Sequence, residues 1–219
     1  VFMLSKTSRF AGSSGKKFLN LILFITTYYF LLSTSGLHAV AKVVSVKGKV
    51  FINNESAYTG QKLKQEDVIK TEAKSFAVIS VNDHNITVFE KTKTTIAELT
   101  DDTSRLKVWI GKIRSMVKKL RMNQKFEVKT PTTICAVRGT EFAVDVADSG
   151  ISRIDVYEGL VAAKEEITGS EVLVNPGQYT VVESGVAPKE PAPIEEEGSK
   201  TEKQKEGKKD DMKSEAQRE

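Results

Sequence analysis

The sequence predicts an all-β domain, a compact roll or sandwich of many short, mostly antiparallel strands. Between residues 42 and 186, apolar residues come in bursts of four to seven that are rich in β-branched and aromatic side chains. Gly, Asn or Asp separates these bursts at a spacing of eight to twelve residues, and helical periodicity is nearly absent. The predicted strands are Lys49–Asn53, Phe76–Val81, Ile86–Phe89, Phe142–Val146, Arg153–Tyr157, Leu160–Ala163, Val172–Val174 and Tyr179–Val182.

Tight turns between the later strands are predicted at three glycines, Gly150, Gly159 and Gly177. Glycine adopts a positive φ without steric cost, so it is the residue that such turns favour. These positions divide the second half of the domain into hairpins.

Residues 105–125 allow two structures. Leu106, Trp109, Ile113 and other apolar residues recur at helical intervals, and the segment has eight basic residues and no acid, which is typical of a basic amphipathic helix. The alternative is a hairpin in which residues 106–110 turn at Gly111 into residues 113–117. Gly111 lies in mid-pattern, where a helix would lose about 1 kcal/mol relative to alanine, and this favours the hairpin.

The first 41 residues form a predicted export signal. Lys16 and Lys17 precede an apolar core of 15 residues that ends at Leu32, and Ala39 and Ala41 supply the small residues of a cleavage site. We expect cleavage after Ala41, with cleavage after Ala39 as the alternative. An uncleaved signal helix embedded over residues 18–37 would instead anchor the chain in the inner membrane. Both outcomes place the domain outside the cytoplasm, in the periplasm or as a secreted protein, because the basic flank stays inside.

The composition changes again at Ala187. Three of the five prolines and 18 charged residues lie in the last 33 positions, with few apolar side chains. Such a segment buries too little surface to offset its ordering entropy, so a disordered tail is predicted over residues 187–219. The domain organisation is therefore a leader (1–41), a β-domain (42–186) and a charged tail.

Charge argues against nucleic acid as a partner. The net charge of the whole chain is +4, and the leader alone contributes +4 because it carries four basic residues and no acid. The chain without its leader is formally neutral, with 29 basic and 29 acidic groups. No nucleic-acid partner is expected.

Catalytic and metal-binding groups are scarce. Cys135 is the only cysteine, so no intrachain disulfide can form, and His84 is the one histidine outside the leader. Zinc sites and histidine-based triads need several such groups together, and the carboxylates lack the pattern of a calcium loop. No metal or cofactor is expected, and an enzyme that uses Cys135 with His84 is the least favoured function.

One stretch, from Phe126 to Val144 (FEVKTPTTICAVRGTEFAV), resembles the FecR domain family, bacterial extracytoplasmic β-domains named for an iron-citrate signalling protein. Further landmarks follow in order, and together they cover about residues 43–185. They are Gly48–Val50, Asp67–Thr71, Ser75–Ala77, Asp83, Val156–Gly159 and Pro176–Gln178. Glu66 stands where the family usually has Gly, and Asp83-His84-Asn85 replaces Asp-Gly-Ser; both are turn positions.

The resemblance implies a non-catalytic module with a binding or structural role at the cell envelope. The alternative is a membrane-tethered signalling or assembly component related to FecR transmembrane regulators. Those regulators carry a cytoplasmic anti-sigma segment before the membrane span, whereas 17 residues precede the apolar run here. We therefore expect binding to an envelope protein or glycan, and not control of a sigma factor.

The candidate site residues form two groups. The first is the family motif, which is expected to be structural, with Arg138 pairing with Glu141 or Asp145; it comprises Thr130, Pro131, Val137, Arg138, Gly139, Thr140, Glu141 and Phe142. The second is a predicted exposed strip of cations above a buried row of Leu106, Val108 and Ile110, which could contact an anionic membrane surface. Its members are Lys107, Lys112, Arg114, Lys118, Lys119, Arg121 and Lys125.

Overall fold

Strands and turns make up the whole of the computed structural model, which describes residues 40–194 and contains no helix in that range. The predicted all-β fold class is confirmed. The seventeen strands in these residues are β1 (Ala41–Lys47), β2 (Val50–Ile52), β3 (Glu55–Ser56), β4 (Lys62–Leu63), β5 (Val68–Thr71), β6 (Phe76–Val81), β7 (His84–Val88), β8 (Lys93–Leu99), β9 (Thr103–Met116), β10 (Lys125–Lys129), β11 (Thr133–Val137), β12 (Glu141–Val146), β13 (Ser152–Glu158), β14 (Val161–Glu165), β15 (Glu171–Val174), β16 (Gln178–Val182) and β17 (Ala192–Pro193).

The strands pair into two sheets that share one strand. Sheet A has the order β4-β1-β6-β7-β9-β12-β13-β16-β17. Sheet B has the order β3-β2-β5-β8-β9-β10-β11-β14-β15. Every pair is antiparallel except β9–β10, which is the one parallel pair among the described strands.

Strand β9 belongs to both sheets because it bends at Gly111. Its first half pairs with β8 and β10, and its second half pairs with β7 and β12. Gly111 has φ +85°, and a Cβ there would lie 2.7 Å from the carbonyl oxygen of Lys91. The hydroxyl of Thr92 accepts a hydrogen bond from the Lys112 N–H at 2.9 Å and so serves the backbone at the bend.

The hairpin and the helix considered for residues 105–121 are both wrong. Residues 106–110 do not pair with residues 113–117, because the chain continues in one direction from one sheet into the other. The buried positions change phase at the bend. Leu106 and Val108 face the core before it, and Ile113 and Ser115 face the core after it. An isolated glycine therefore marks a strand bend here and not a reversal.

A single hydrophobic core lies between the inward-facing residues of the two sheets. Strict alternation produces it; in β6, for example, every second residue is buried. Burying a large aliphatic or aromatic side chain contributes about 1.5–3 kcal/mol, so the fully buried members dominate stability. The largest apolar ones are Phe126, Phe142, Ile69, Ile79, Ile86, Ile96, Leu106, Ile113 and Ile154.

Strands lie beyond both predicted ends of the β-domain. Ala41, assigned to the leader, begins β1 and is buried opposite Leu63 and Val81. Residues 187–194, assigned to the disordered tail, return to sheet A as β17, and the Thr180 hydroxyl donates to the Lys189 carbonyl oxygen at 2.6 Å. The rest of the leader and of the tail lies outside the described residues. Within residues 40–194, no helix has the length and apolarity that a membrane span requires.

Candidate functional site

Thr130 and Pro131, the first residues of the family motif, lie in the connection between β10 and β11. The Thr130 hydroxyl accepts hydrogen bonds from the N–H groups of Thr132, at 3.2 Å, and Thr133, at 2.9 Å. It also accepts one from the Ser152 hydroxyl at 2.7 Å, which ties this connection to β13. Thr130 is completely buried, so its hydroxyl satisfies backbone groups that would otherwise be unpaired.

Gly139 lies at a point where two backbone segments meet. Its φ is +80°, and a Cβ there would lie 3.0 Å from the Cα of Lys119. Gly159 packs against the same turn, since a Cβ at Gly159 would lie 2.6 Å from the Gly139 carbonyl oxygen. Both family glycines are therefore required by close backbone approach as well as by positive φ.

Two hydrogen bonds donated by its own backbone N–H groups hold the connection from β9 to β10 in place. The Val117 N–H donates to the Thr140 carbonyl oxygen at 2.9 Å, and the Lys118 N–H donates to His84 Nδ1 at 3.3 Å. The side chains of Val117 and Leu120 are buried in the core. This anchoring leaves the Lys118 and Lys119 side chains exposed beside the Gly139 turn.

A groove of about 460 Å³ lies between the β9–β10 connection and the Gly139 turn, which joins β11 to β12. Lys118, Lys119 and Arg138 are exposed along it, and none of them forms an ion pair with any residue of the described range. We call it the motif groove; its lining residues are Met116, Val117, Lys118, Lys119, Arg138, Gly139, Thr140, Glu141 and Glu158.

The predicted pairing of Arg138 with Glu141 or Asp145 is wrong. The Glu141 carboxylate is bound by Arg114, whose Nη2 lies 2.7 Å from Glu141 Oε1. Arg114 also stacks on Tyr157, with its guanidinium carbon 4.2 Å from the ring centroid. Because β9 pairs directly with β12, Arg114 reaches Glu141 across the ladder, and Arg138 in the preceding turn is left free.

The predicted strip of seven cations is divided among separate places. Lys107 projects from the part of β9 in sheet B, whereas Lys112 and Arg114 project from the part in sheet A. Lys118, Lys119 and Arg121 lie in the β9–β10 connection, and Lys125 begins β10. The strip is not continuous because β9 changes sheets. Of the predicted buried row, Leu106 and Val108 are buried and Ile110 is half-buried.

Cys135 and His84 do not form a nucleophile–base pair. Cys135 is fully buried on β11 in sheet B, and burial raises the pKa of its thiol to about 12. His84 is on β7 in sheet A, where burial, helped by the charge of Lys118 and opposed by Asp83, lowers its pKa. Its ring packs edge-on against Phe126, at 5.3 Å between centroids. In residues 40–194 no three His, Cys, Asp or Glu side chains are placed to hold a metal ion.

Residues 67–162 match the family described as FecR protein. This part of the chain is therefore similar to the FecR domain family. The resemblance drawn from the motif around Arg138 is thereby confirmed, and the matched range contains the motif groove and the whole of β9. No curated protein matches the chain.

Two crystal structures of a protein described as a "putative anti-sigma factor" from Parabacteroides distasonis ATCC 8503 are similar to it at 17% identity and a TM-score of 0.49. Each alignment covers 59% of this chain and 59% of the solved chain, so the chain spans about three fifths of those structures.

Several residues on which the resemblance was drawn now have a physical role. A Cβ at Gly48 would lie 2.9 Å from the Ser75 Cβ, and the Ser75 hydroxyl accepts a hydrogen bond from the Lys49 N–H at 2.8 Å. Glu66, where the family usually has Gly, keeps a positive φ of 69°. The predicted turn at Asp83 is formed by Asn82 and Asp83, both at positive φ, whereas the next residue, His84, already belongs to β7.

The sequence did not predict the convergence of Lys118 and Lys119 with Arg138. Some twenty residues separate them in the chain, and no local pattern shows that a connection before β10 contacts the turn before β12. The one available signal was Gly139 itself, because a glycine required for close approach implies a neighbour.

Proposed function

We propose that this chain is a non-catalytic, FecR-like regulatory module that binds an acidic segment of a protein partner at the bacterial cell envelope, and that the motif groove is the binding site. The family match supports a regulatory role over a catalytic one. The observation that carries the proposal is the convergence of Lys118, Lys119 and Arg138 on one groove, where none of them forms an ion pair with another residue of the range 40–194.

The chemistry of the groove fits carboxylates. Arg138 offers a planar fork that binds a carboxylate with two hydrogen bonds, and the two lysines add flexible point charges beside it. Two acids line the groove, but Arg114 already binds Glu141, and Glu158 forms no ion pair with any of the three cations. The backbone under the groove is fixed by Gly139 and by the bond from Lys118 to His84, so the cations are presented from a rigid base.

The expected location follows from the leader. Export to the periplasm or the medium, or anchoring through residues 18–37, would bring the motif groove to partners in the envelope. A membrane-tethered signalling or assembly component is the second candidate, and the FecR match favours it. The two candidates share the groove and differ in whether the leader stays attached.

Site-specific photo-crosslinking in the source bacterium tests the proposal. A photoreactive residue at position 119 of the full-length chain should give a protein adduct, and one at Lys164, an exposed residue of β14, should not. Arg138→Glu should abolish the adduct, whereas Lys164→Glu should leave it intact, with unchanged thermal unfolding for both. An adduct that survives Arg138→Glu, or the absence of any adduct at position 119, would overturn the proposal.

A further inference from the structure

The outer face of sheet B carries a cluster of lysines around an exposed tryptophan. Lys70 on β5 lies opposite Lys93 on β8, and Lys93 lies opposite the Ile110 end of β9. Trp109 projects outward beside them and is 43% exposed, although it is the only tryptophan of the chain. We call the surface formed by Asn53, Asn54, Lys70, Lys93, Lys107 and Trp109 the Trp109 face.

The indole ring is held in a defined position. Its Nε1–H donates to the Thr95 hydroxyl at 3.1 Å, so the ring lies across β8. The Lys107 ammonium lies 3.5 Å from the ring centroid and that of Lys93 lies 6.0 Å away. Such cation–π contacts hold the charges beside the ring without neutralising them.

Two other cations of sheet B, Arg105 and Lys129, are paired with acids. Arg105 on β9 is bound on both sides, by Glu98 at 2.6 Å and by Glu127 at 2.7 Å. Lys129 on β10 is paired with Glu166 at 2.5 Å. Lys70, Lys93 and Lys107 have no such acid within the described residues, so this group stays positive, whereas Arg105 and Lys129 are neutralised.

A cavity of about 460 Å³ adjoins the lysines at the β2–β3 turn and is lined by Asn53, Asn54, Val68, Lys70 and Lys93. The acid beside it, Asp67, is already engaged, since it accepts hydrogen bonds from Asn53 Nδ2 at 2.7 Å and from the Lys64 N–H at 2.8 Å. Asn54 is exposed in the turn, where its amide can both donate and accept.

We propose that the Trp109 face binds an anionic polysaccharide. A sugar ring presents a flat C–H face that packs on the part of the Trp109 ring left exposed beside the Lys107 ammonium. Its hydroxyls bond to amides such as that of Asn54, and its carboxylate or phosphate groups pair with the three lysines. Because β5, β8 and β9 are neighbouring strands, these groups lie side by side and an extended chain can contact them in succession. This surface is separate from the motif groove, so the inference does not depend on the proposed function.

The surface is poorly suited to a lipid bilayer. Membrane insertion needs protruding apolar side chains, and here the tryptophan is hydrogen-bonded along the sheet and surrounded by lysines. An acidic protein would satisfy the lysines, but it would use neither the exposed indole as a stacking platform nor the amides of the turn. The combination of an aromatic face, amides and cations therefore favours a charged sugar chain.

Tryptophan fluorescence of the full-length chain gives a direct measurement, because Trp109 is the sole source of the signal. Polygalacturonate should change the emission and saturate, and the affinity should fall as salt rises. Neutral dextran, poly-glutamate and phosphatidylglycerol vesicles should each give a much weaker response. No response to polygalacturonate, or an equal response to poly-glutamate or to the vesicles, would overturn the proposal.

Two double variants separate this face from general surface charge. Lys70→Ser with Lys93→Ser should weaken polygalacturonate binding by about tenfold or more, because two of the three unpaired cations are lost. Lys42→Ser with Lys164→Ser removes the same charge from exposed positions elsewhere and should leave the affinity unchanged. If both double variants lose the same affinity for polygalacturonate, binding depends only on net charge, and the proposal of a specific site is refuted.

Discussion

Gly139 packs against the backbone of Lys119, at a distance that leaves 3.0 Å between an added Cβ and the Lys119 Cα. Gly139→Ala should therefore lower the free energy of unfolding by about 3 kcal/mol, from the cost of positive φ together with the clash. Gly177→Ala is the matched control, because its φ is +76° and nothing lies within 4 Å. Gly177→Ala should lower the free energy of unfolding by about 1 kcal/mol, because only the positive φ opposes the alanine side chain. Equal losses in denaturant unfolding would show that the Lys119 contact adds nothing.

Glu165 connects three backbone groups of neighbouring loops. Its carboxylate accepts hydrogen bonds from the N–H groups of Ile167, Thr168 and Gly185, and these bonds, the Thr168 one foremost, lower its pKa from 4.5 to about 2. A lowered folded-state pKa means that the stabilisation is present above about pH 4.5 and is lost as the pH falls toward 2.

Glu165→Gln should therefore be less stable than the wild type at pH 7, and the difference should shrink between pH 4.5 and pH 2. Denaturant midpoints measured across this range provide the test. A difference that stays constant with pH would mean that the charge of Glu165 has no part in holding these loops.

Among residues 40–194, two buried hydroxyls lack a hydrogen-bond partner, those of Ser115 and Thr140. Removing an unpaired buried hydroxyl relieves its desolvation cost, which is about 1–3 kcal/mol. Ser115→Ala and Thr140→Val should both raise the thermal unfolding temperature or leave it unchanged. A clear loss of stability in Thr140→Val, which keeps the side-chain volume, would show that this hydroxyl is hydrogen-bonded in the folded protein.

Residues 187–194 should stabilise the domain. A chain that ends after Val186 loses β17 and the bonds from Lys189 N–H to Val181 and from Ile194 N–H to Gly177. Each such bond contributes about 0.5–1.5 kcal/mol, so the truncated chain should be about 2 kcal/mol less stable than one that ends after Ile194. Identical melting curves would restore the earlier boundary at residue 186.

Cleavage of the leader should occur after Ala39 and not after Ala41. Ala41 pairs with Leu63 and Val81, and the Val40 N–H donates to Asn82 Oδ1 at 3.1 Å. Cutting after Ala41 would remove the start of β1. N-terminal sequencing of the exported protein should therefore begin at Val40; a start at Lys42 would contradict this, and an intact leader would favour the anchored alternative.

Local patterns were sufficient to predict eight of the seventeen described strands. Phe76–Val81 has the predicted bounds, and the glycines at 150, 159 and 177 all have positive φ, because hydrophobic alternation and turn chemistry act over a few residues. Strand β9 was missed for the opposite reason. Its bend at Gly111 is determined by Thr92 and Lys91, which no pattern within residues 105–125 includes.

The candidate site was predicted in part. The sequence singled out Arg138, Lys118 and Lys119, but it assigned Arg138 to an ion pair with Glu141 and the lysines to a continuous strip. Both errors come from strand order, because Arg114 reaches Glu141 only once β9 is known to lie beside β12. Partner choice among charged side chains depends on tertiary neighbours, which composition and spacing do not contain.

Because β9 is an interior strand of both sheets, the two layers cannot lose order separately. Unfolding of the first half of β9 would break its hydrogen bonds to β8 and β10, and unfolding of the second half would break those to β7 and β12. Either event would also destabilise the bend at Gly111, which positions the other half. The domain should therefore melt as one cooperative unit, without a half-open form that a protease could trim. If the chain is exported, as we propose, this all-or-none behaviour would protect it where no ATP-driven chaperone can refold it.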